Sequence, residues 1–388
     1  MTEKTLDQDP EVRAMRAMAR DLATAVIGPR AVEIDESETF PVDVLEQFRR
    51  QGFLGLAVPE AYDGAGGRLR HVAAVAEELA RVDVSSACTF NSHASCAILI
   101  GAVGDEEQQA RLFGRIVNEG ALVSLALTEP EAGSDAASLR TAAVADGDRY
   151  VLNGVKHYCT NADFAEFLLV FAATPRADGS RPISVFVVGK DNPGLHIRRR
   201  EKKMGLHGTT TVEFELRDCL VPASDRLGAE GAGFRVGLQA LQRGRVAVAA
   251  IAVGAAEAAL EHAITHARDR RQFGVAIGSF QGLQFKLADM GIQLAAARQL
   301  VAHAIAAGDS DAADFAVISA QAKCFATDTA MAVATEAVQV FGGAGYMRGT
   351  YVERVMRDVK VLQIFEGTNE LMRVLVARGL LGRSDAPR

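Results

Sequence analysis

Apolar positions along this chain recur with two different periods, and the changeovers divide it into three stretches. From Asp9-Pro10, a cap followed by a first-turn proline, helical spacing runs through Met15, Met18, Leu22 and Val26. Pro41 opens a second helix, Val42 to Gln51, which Gly52 closes. His71 to Arg81 and Ser85 to Val103 are apolar enough to be buried, and Asp105 opens a polar helix over Glu106 to Val117. Near Gly120 the period shortens. Ala121 to Leu127, Leu139 to Ala145, Tyr150 to Gly154, Phe167 to Ala173, Ile183 to Val188, Leu195 to Arg199 and Thr211 to Leu216 read as strands, with Asp146-Gly147 as a hairpin signal. Short strands joined by Asp, Gly, Asn and Pro turns, with no helix between them, imply an antiparallel barrel or sandwich. From Gly233 the helical period returns over Phe234 to Asp269, Phe280 to Ala307, Ala312 to Val340, Tyr351 to Leu362 and Asn369 to Leu381. The expected fold is an α+β multidomain chain: an N-terminal all-α domain over 1–121, a middle antiparallel β-barrel domain over 122–232, and a C-terminal four-helix-bundle domain over 233–388.

Composition narrows the function classes. With 388 residues and 49% hydrophobic content, the chain exceeds what one core usually serves. A net charge of −7 with scattered Lys and Arg argues against nucleic acid as a partner. Cysteines 88, 96, 159, 219 and 324 form no CxxC pair, so they read as reduced thiols. The eight histidines form no ligand cluster, and no metal is expected. Met1 to Asp7 carries no apolar core, and no run approaches the roughly 18 apolar residues of a membrane span. The expectation is a soluble cytoplasmic protein with no membrane attachment.

Candidate chemistry concentrates at Val361 to Glu370, where Glu366 follows a largely apolar run and precedes Gly367, Thr368 and Asn369. A carboxylate against apolar walls is a better proton acceptor than a solvated one. The same residues also fit an ordinary helix start, with Thr368 as N-cap and Glu370 facing the helix dipole. Two strand ends add a second theme. Leu125-Ala126-Leu127-Thr128-Glu129-Pro130-Glu131-Ala132-Gly133-Ser134-Asp135 enters a polar loop, and Asn153 to Asn161 carries Tyr158, Cys159 and Thr160. Tyr158 could stack on a flat ring whose heteroatoms Thr128 and Thr160 reach. The glycine loop Tyr62 to Gly67 follows no strand and is a weak phosphate cradle, Gly343-Ala344-Gly345 follows a helix and is no dinucleotide fingerprint, and Arg198 to Lys203 reads as a solvated charge run.

In order and wording these stretches resemble the acyl-CoA dehydrogenase family. The resemblance rests on Thr128-Glu129-Pro130-Glu131-Ala132-Gly133-Ser134-Asp135, on Arg270-Arg271-Gln272-Phe273-Gly274 with Phe280 to Met290, on Gln339 to Tyr346, and on Arg357 to Thr368. It implies FAD between the β domain and the C-terminal bundle, with Leu125, Leu127, Thr128 and Ser134 on one side of the ring and Tyr158, Cys159 and Thr160 on the other. It further implies that Arg270, Gln272, Phe273, Gln281, Gln339, Val340, Gly342 and Gly343 hold the pyrophosphate and adenosine of a neighbouring subunit's flavin, with Thr368 and Glu370 as additional contacts. A homotetramer is therefore expected. The implied reaction takes the α-proton of an acyl thioester on Glu366, passes the β-hydride to flavin N5, and leaves a trans-2-enoyl thioester. Backbone donors to the thioester carbonyl, each worth on the order of 2.7–4 kcal/mol, include the N–H of Glu366. An electron-transfer flavoprotein is the implied acceptor. Some branches place the base at the position of Gly244, which leaves Glu366 as the candidate here; Arg245 matches the family's arginine near base and thioester. Ser134, Gln242, Arg245 and Gly367 are the implied substrate contacts. Gln242 and His207 depart from common family residues, so a carrier-protein thioester stands beside acyl-CoA. An oxygen-reactive oxidase or monooxygenase of the same fold is a rival function, and a catalytically silent scaffold is a second.

Overall fold

The computed structural model describes residues 9–176 and 178–382, so Met1 to Asp7, read above for a leader core, lie outside the described residues. Six helices come first: α1 Pro10–Leu22, α2 Ala31–Ser37, α3 Val42–Arg50, α4 Leu69–Ala80, α5 Val84–Val103 and α6 Glu106–Glu119. Their ends follow local chemistry. The Asp9 side chain accepts from Glu11 N–H at the start of α1, Asp105 and Gln108 form a reciprocal capping box on α6, and Gly120 at φ +66° ends it. The glycine loop before α4 uses its own amides: Gly66 donates to Val58 at 2.8 Å and Gly67 to Leu56 at 2.7 Å, which leaves these two amides committed within the loop.

Eight strands follow: β1 Val123–Ala126, β2 Ala142–Asp146, β3 Arg149–Thr160, β4 Phe167–Ala173, β5 Ile183–Gly189, β6 Leu195–Arg200, β7 Thr211–Pro222 and β8 Arg226–Leu227. The order across the sheet is β6-β7-β3-β2-β4-β5-β8, with β1 paired to β4. This corrects the expected antiparallel barrel. β1 runs parallel to β4, with Val123 opposite Phe167, and β2 meets β4 in parallel at Ala142 and Ala173. The physical reason is the connection: β1 leaves through the loop of residues 127–141 instead of a tight hairpin, so its neighbour is a later strand entering in the same direction. β6 and β8 stand at opposite ends of the pairing order, which describes an open mixed sheet.

The remaining helices are α7 Gly233–Asp269, α8 Gln281–Asp309, α9 Phe315–Phe341, α10 Tyr351–Val359 and α11 Asn369–Leu380, with a short β9–β10 hairpin at Arg271–Gln272 and Val275–Ala276. The five helical stretches read after Gly233 are all present, three of them long and two short. α10 stops at Val359 and passes into a 3-10 turn, Lys360–Gln363.

The outer helical stretches are not separate bodies. One continuous core joins α4 and α5 to α7, α8 and α9 and to one face of the sheet, while a second, smaller core fills the sheet's other face around Leu152, Val170, Phe186 and Phe214. Alanine explains the close approach. At Gly254 of α7 an added Cβ would meet the Glu77 carbonyl of α4 at 2.2 Å, and Ala250, Ala255 and Ala256 around it are buried. Buried Glu77 ties three helices, taking Arg16 of α1 at 2.8 Å and Arg298 of α8 at 2.5 Å. Contrary to the sequence reading, Val84–Val103 and Gly233–Asp269 are long and apolar enough to cross a bilayer, yet 72% of each apolar window is buried inside the protein.

Candidate active site

Residues 364–368 form the turn that leads into α11, and it places a carboxylate in an unusual way. Glu366 has φ +56° and Gly367 φ +95°, so two consecutive left-handed residues reverse the chain. Thr368 then caps α11, accepting from Leu371 N–H at 3.3 Å, as expected of a helix start. Glu366 itself is not solvated, as an ordinary helix start would have it. Its Oε2 is shielded from solvent and has no hydrogen-bond partner among the described residues. Burial pushes its pKa up to about 6, against the pull of Arg245 and Lys323. Its main-chain N–H meets no protein acceptor among the described residues.

α7 supplies the opposite wall. Gly244 faces the carboxylate: a Cβ there would sit 2.9 Å from Ser95 Oγ and 3.4 Å from Glu366 Oε1. Arg245, buried and lowered in pKa by that burial, donates Nε to the Glu366 carbonyl at 3.0 Å. Gln242 lies one turn earlier and is half-buried. Ser95 belongs to α5 and its Oγ also has no partner among the described residues. From there a small cavity extends between α5, α7 and the sheet, lined by Ser95, Leu99, Leu125, Phe171, Gly237, Ala240 and Leu241. The Phe171 ring presses on Gly237, where a Cβ would meet it at 2.6 Å.

The two strand-end motifs meet each other. His157 N–H donates to the Thr128 carbonyl at 2.9 Å, and Lys156, fully buried, donates to the Leu127 carbonyl at 3.1 Å and the Glu129 carboxylate at 2.8 Å. Glu129 also accepts from Arg140 and Thr141 N–H; burial works against its charge, but Lys156 holds it below the usual carboxylate range. Tyr158, at φ +54° and 62% exposed, stacks on His157 at 3.7 Å. The hydroxyls of Thr128, Ser134 and Thr160 donate to no protein acceptor among the described residues. Cys159 requires a correction: its thiol is buried in the sheet's smaller core, on the opposite strand face from its neighbour Tyr158, and does not face the same side.

The third group of expected residues lies elsewhere in the fold. Arg270, Gln272 and Phe273 follow the C-terminus of α7, Gln281 begins α8, and Gln339, Val340, Gly342 and Gly343 end α9. Arg245 and Asp269 are 24 positions apart on one helix, roughly 36 Å. One chain cannot bring this group to Glu366. Of its members Val340 is buried at 5% exposure, while Phe273 is 93% exposed. Exposed Glu370 sits in the first turn of α11. His207 is turned inward, its two ring nitrogens against the carbonyls of Asp35 and Lys203 at 2.9 and 3.0 Å. The arginine run is strand β6, not a free loop: Arg198 and Arg199 pair with Glu213 and Arg200 with Asp163.

Residues 9–119, 124–219 and 231–381 match in turn the N-terminal, middle and C-terminal domains of acyl-CoA dehydrogenase. The probable acyl-CoA dehydrogenase FadE25 of Mycobacterium tuberculosis is 42% identical over 95% of this chain and 94% of its own length. The chain belongs to the acyl-CoA dehydrogenase family. Butyryl-CoA dehydrogenase from Megasphaera elsdenii superimposes with a TM-score of 0.92 at 37% identity, over 96% of this chain and 98% of that one. A glutaryl-CoA dehydrogenase from Mycobacterium smegmatis, solved with FADH2, gives a TM-score of 0.92 at 27% identity over 99% and 98%. Acyl-CoA dehydrogenases are FAD-dependent oxidoreductases acting on CH–CH bonds, and this chain is such an enzyme. The residues present fit the cofactor: the Tyr158 face, the unused hydroxyls of Thr128 and Thr160, and an unpartnered carboxylate are a donor and stacking set suited to a flat heteroaromatic ring beside a base.

Sequence reading missed Lys156, Lys323 and Phe171, while Ser95 falls in the stretch around Thr89 to Ile98 that it expected to line the acyl pocket. Lys323 carried a signal. It falls on the α9 stripe with Ser319, Ala322, Ala326 and Thr327, all buried, so a lysine there had to be inside.

Proposed function

We propose that this acyl-CoA dehydrogenase desaturates the α,β-bond of a short acyl thioester, with Glu366 as the base. The observation that carries the reading is the Glu366 carboxylate: shielded, unpartnered at Oε2 and raised to about 6, it is ionised at neutral pH yet basic enough to accept a proton. The α-proton moves to Glu366. Thr128, Ser134, Tyr158 and Thr160 would hold FAD, which would supply the acceptor for the hydride equivalent leaving the β-carbon. The N–H of Glu366 would donate to the thioester carbonyl, and Arg245 holds the adjoining carbonyl of the same residue.

Acyl length follows from α7. Gly244, beside the base, and Gly237, under the Phe171 ring, are seven positions apart, or about 10 Å. The cavity along this stretch is small, and the Phe171 ring against Gly237 closes it. This favours short acyl groups. The exposed Phe273, Tyr346, Phe285 and Ile292 on the bundle support assembly into a homotetramer, with Arg270, Gln272, Gln281 and Gln339 serving a neighbouring subunit's flavin. An electron-transfer flavoprotein is the proposed acceptor.

The test is anaerobic. The yellow protein and Glu366→Gln are mixed with acyl-CoAs and acyl-carrier thioesters of graded length, and flavin absorbance is followed. Bleaching of wild type by short acyl-CoAs, with binding but no bleaching in Glu366→Gln, supports the reading. Equal bleaching in the variant rejects Glu366 as base, and preference for carrier thioesters reassigns the substrate.

A further inference from the structure

We propose that Lys323 is a positioning residue for the base: its ammonium holds the strained turn that aims Glu366. The inference rests on the reading of Glu366 just given. The turn needs holding, because a non-glycine residue in the left-handed region persists only where its surroundings over-determine it. Two consecutive carbonyls are gripped from two different helices. Arg245 of α7 takes the oxygen of Glu366 at 3.0 Å, and Lys323 of α9 takes the oxygen of Gly367 at 2.8 Å. Lys323 also donates to Asn369 Oδ1 at 2.9 Å, and the Asn369 amide donates to Thr327 Oγ1 at 2.9 Å and Asp328 Oδ1 at 2.7 Å. The first residue of α11 is thereby locked to α9.

A lysine is an expensive choice for this task. Lys323 is completely buried, and its contacts are a carbonyl and an amide oxygen, with no carboxylate in ion-pair contact among the described residues. A neutral amide could satisfy those acceptors at lower desolvation cost. The cation has a use beyond the hydrogen bonds, since its charge favours the ionised form of Glu366. Burial brings the ammonium down to about 8, which keeps it charged at neutral pH. The groups around it are Arg245 from α7, Cys324 and Asp328 from its own helix, Glu366, and Arg373 and Asn369 from α11. Of the carboxylates, Asp328 is engaged by Gln363, Asn369 and Arg373, so Glu366 is the one left for Lys323 to serve.

The experiment reads the base directly, by NMR-detected exchange of the acyl-CoA α-proton into D2O across pH 5–9, alongside kcat and KM. Wild type, Glu366→Gln, Lys323→Met and Lys323→Gln are compared. The expected result is loss of exchange in Glu366→Gln. Both Lys323 variants should lose on the order of 100-fold in exchange rate and kcat, the scale of a base displaced by about 1 Å, with KM little changed. The acid limb of their exchange profiles should move to higher pH because a cation favouring the carboxylate is gone. Where the lysine variants do not fold, Asn369→Ala removes the ammonium's second acceptor but keeps the charge. It should lower exchange without moving the limb. Wild-type exchange and an unmoved limb in the Lys323 variants, or a wild-type rate in Asn369→Ala, overturn the positioning role while Glu366 stands. Exchange that persists in Glu366→Gln overturns both.

Discussion

The guanidinium of Arg245 donates to the main-chain carbonyl of Glu366 at 3.0 Å and leaves the carboxylate Oε2 without a partner. A direct ion pair would pull a carboxylate down by one to three pH units. Gripping the peptide instead orients the residue while burial still raises the acid to about 6. The pH dependence follows with a definite sign. Only the ionised carboxylate accepts a proton, so kcat should rise with pH through about 6 and level above it, and Glu366→Gln should abolish turnover at every pH. An acid limb centred at the ordinary carboxylate value would mean Glu366 is solvated during catalysis.

Replacing Arg245 by Gln tests the other half of the grip. The guanidinium's charge favours ionised Glu366, and its Nε fixes the carbonyl. Arg245→Gln should therefore move the acid limb of kcat upward and lower kcat on the order of 100-fold. Stopped-flow flavin bleaching across pH checks both at once. A variant that changes KM alone would place Arg245 in ordinary substrate binding.

Phe171 over Gly237 predicts a length profile. Phe171→Ala opens the floor of the cavity between α5, α7 and the sheet, and should shift the preferred acyl-CoA toward longer chains at a stability cost of about 3–5 kcal/mol. Gly237→Ala, whose Cβ would strike the ring at 2.6 Å, should shorten the accepted chain. The two variants moving kcat/KM in opposite directions along a series of chain lengths is the expected result. Parallel profiles would remove Phe171 from the pocket.

How much of the fold and site was legible in the sequence depends on what kind of relationship each residue makes. Helix starts at Asp9, Asp105 and Thr368 were legible because capping is local; the strands were legible as short apolar runs, but β3 and β7 continue to Thr160 and Pro222, past the ends read for them. The parallel pairing of β1 with β4 was not legible, since register across 44 positions leaves no mark in either strand. Glu366 was readable as a lone carboxylate after an apolar run. Arg245 beside it was named through the family resemblance, whereas Lys323 was not, because it lies 43 positions earlier and meets the turn only when α9 packs against it. Cys159 could have been read correctly: adjacent strand residues face opposite sides, so an exposed Tyr158 already turns the neighbouring thiol into the core.

The exposed aromatic surface of the bundle predicts assembly. Phe273 and Tyr346 are 93% and 81% exposed, and half-exposed Phe280 packs edge-on against Phe273, the start of an exposed apolar patch. Phe273→Asp should lower the molecular mass measured by light scattering from that of the proposed tetramer toward a smaller species. It should also weaken FAD retention on gel filtration, because Arg270 and Gln272 are beside it. Unchanged mass and flavin content would assign this face to something other than subunit contact.

Asp358 supplies a test of the junction where α5, α10 and the loop before β7 meet. It is buried, accepts from Leu206 N–H at 2.6 Å, and is pushed up to about 7 by burial and by the negative charge of Asp83, against the pull of Arg354. The folded protein thus binds this proton more tightly than the unfolded chain, whose carboxyl has the ordinary value of 3.8. The sign follows from linkage. This group's contribution is fully present below the unfolded value and is lost as pH rises toward about 7, by roughly 1 kcal/mol per pH unit. Asp358→Asn keeps an acceptor for Leu206 and cannot ionise. The difference in urea midpoint between variant and wild type should therefore grow in the variant's favour from pH 5 to pH 7 and stay constant above it. A difference independent of pH would mean that Asp358 is already ionised at pH 5.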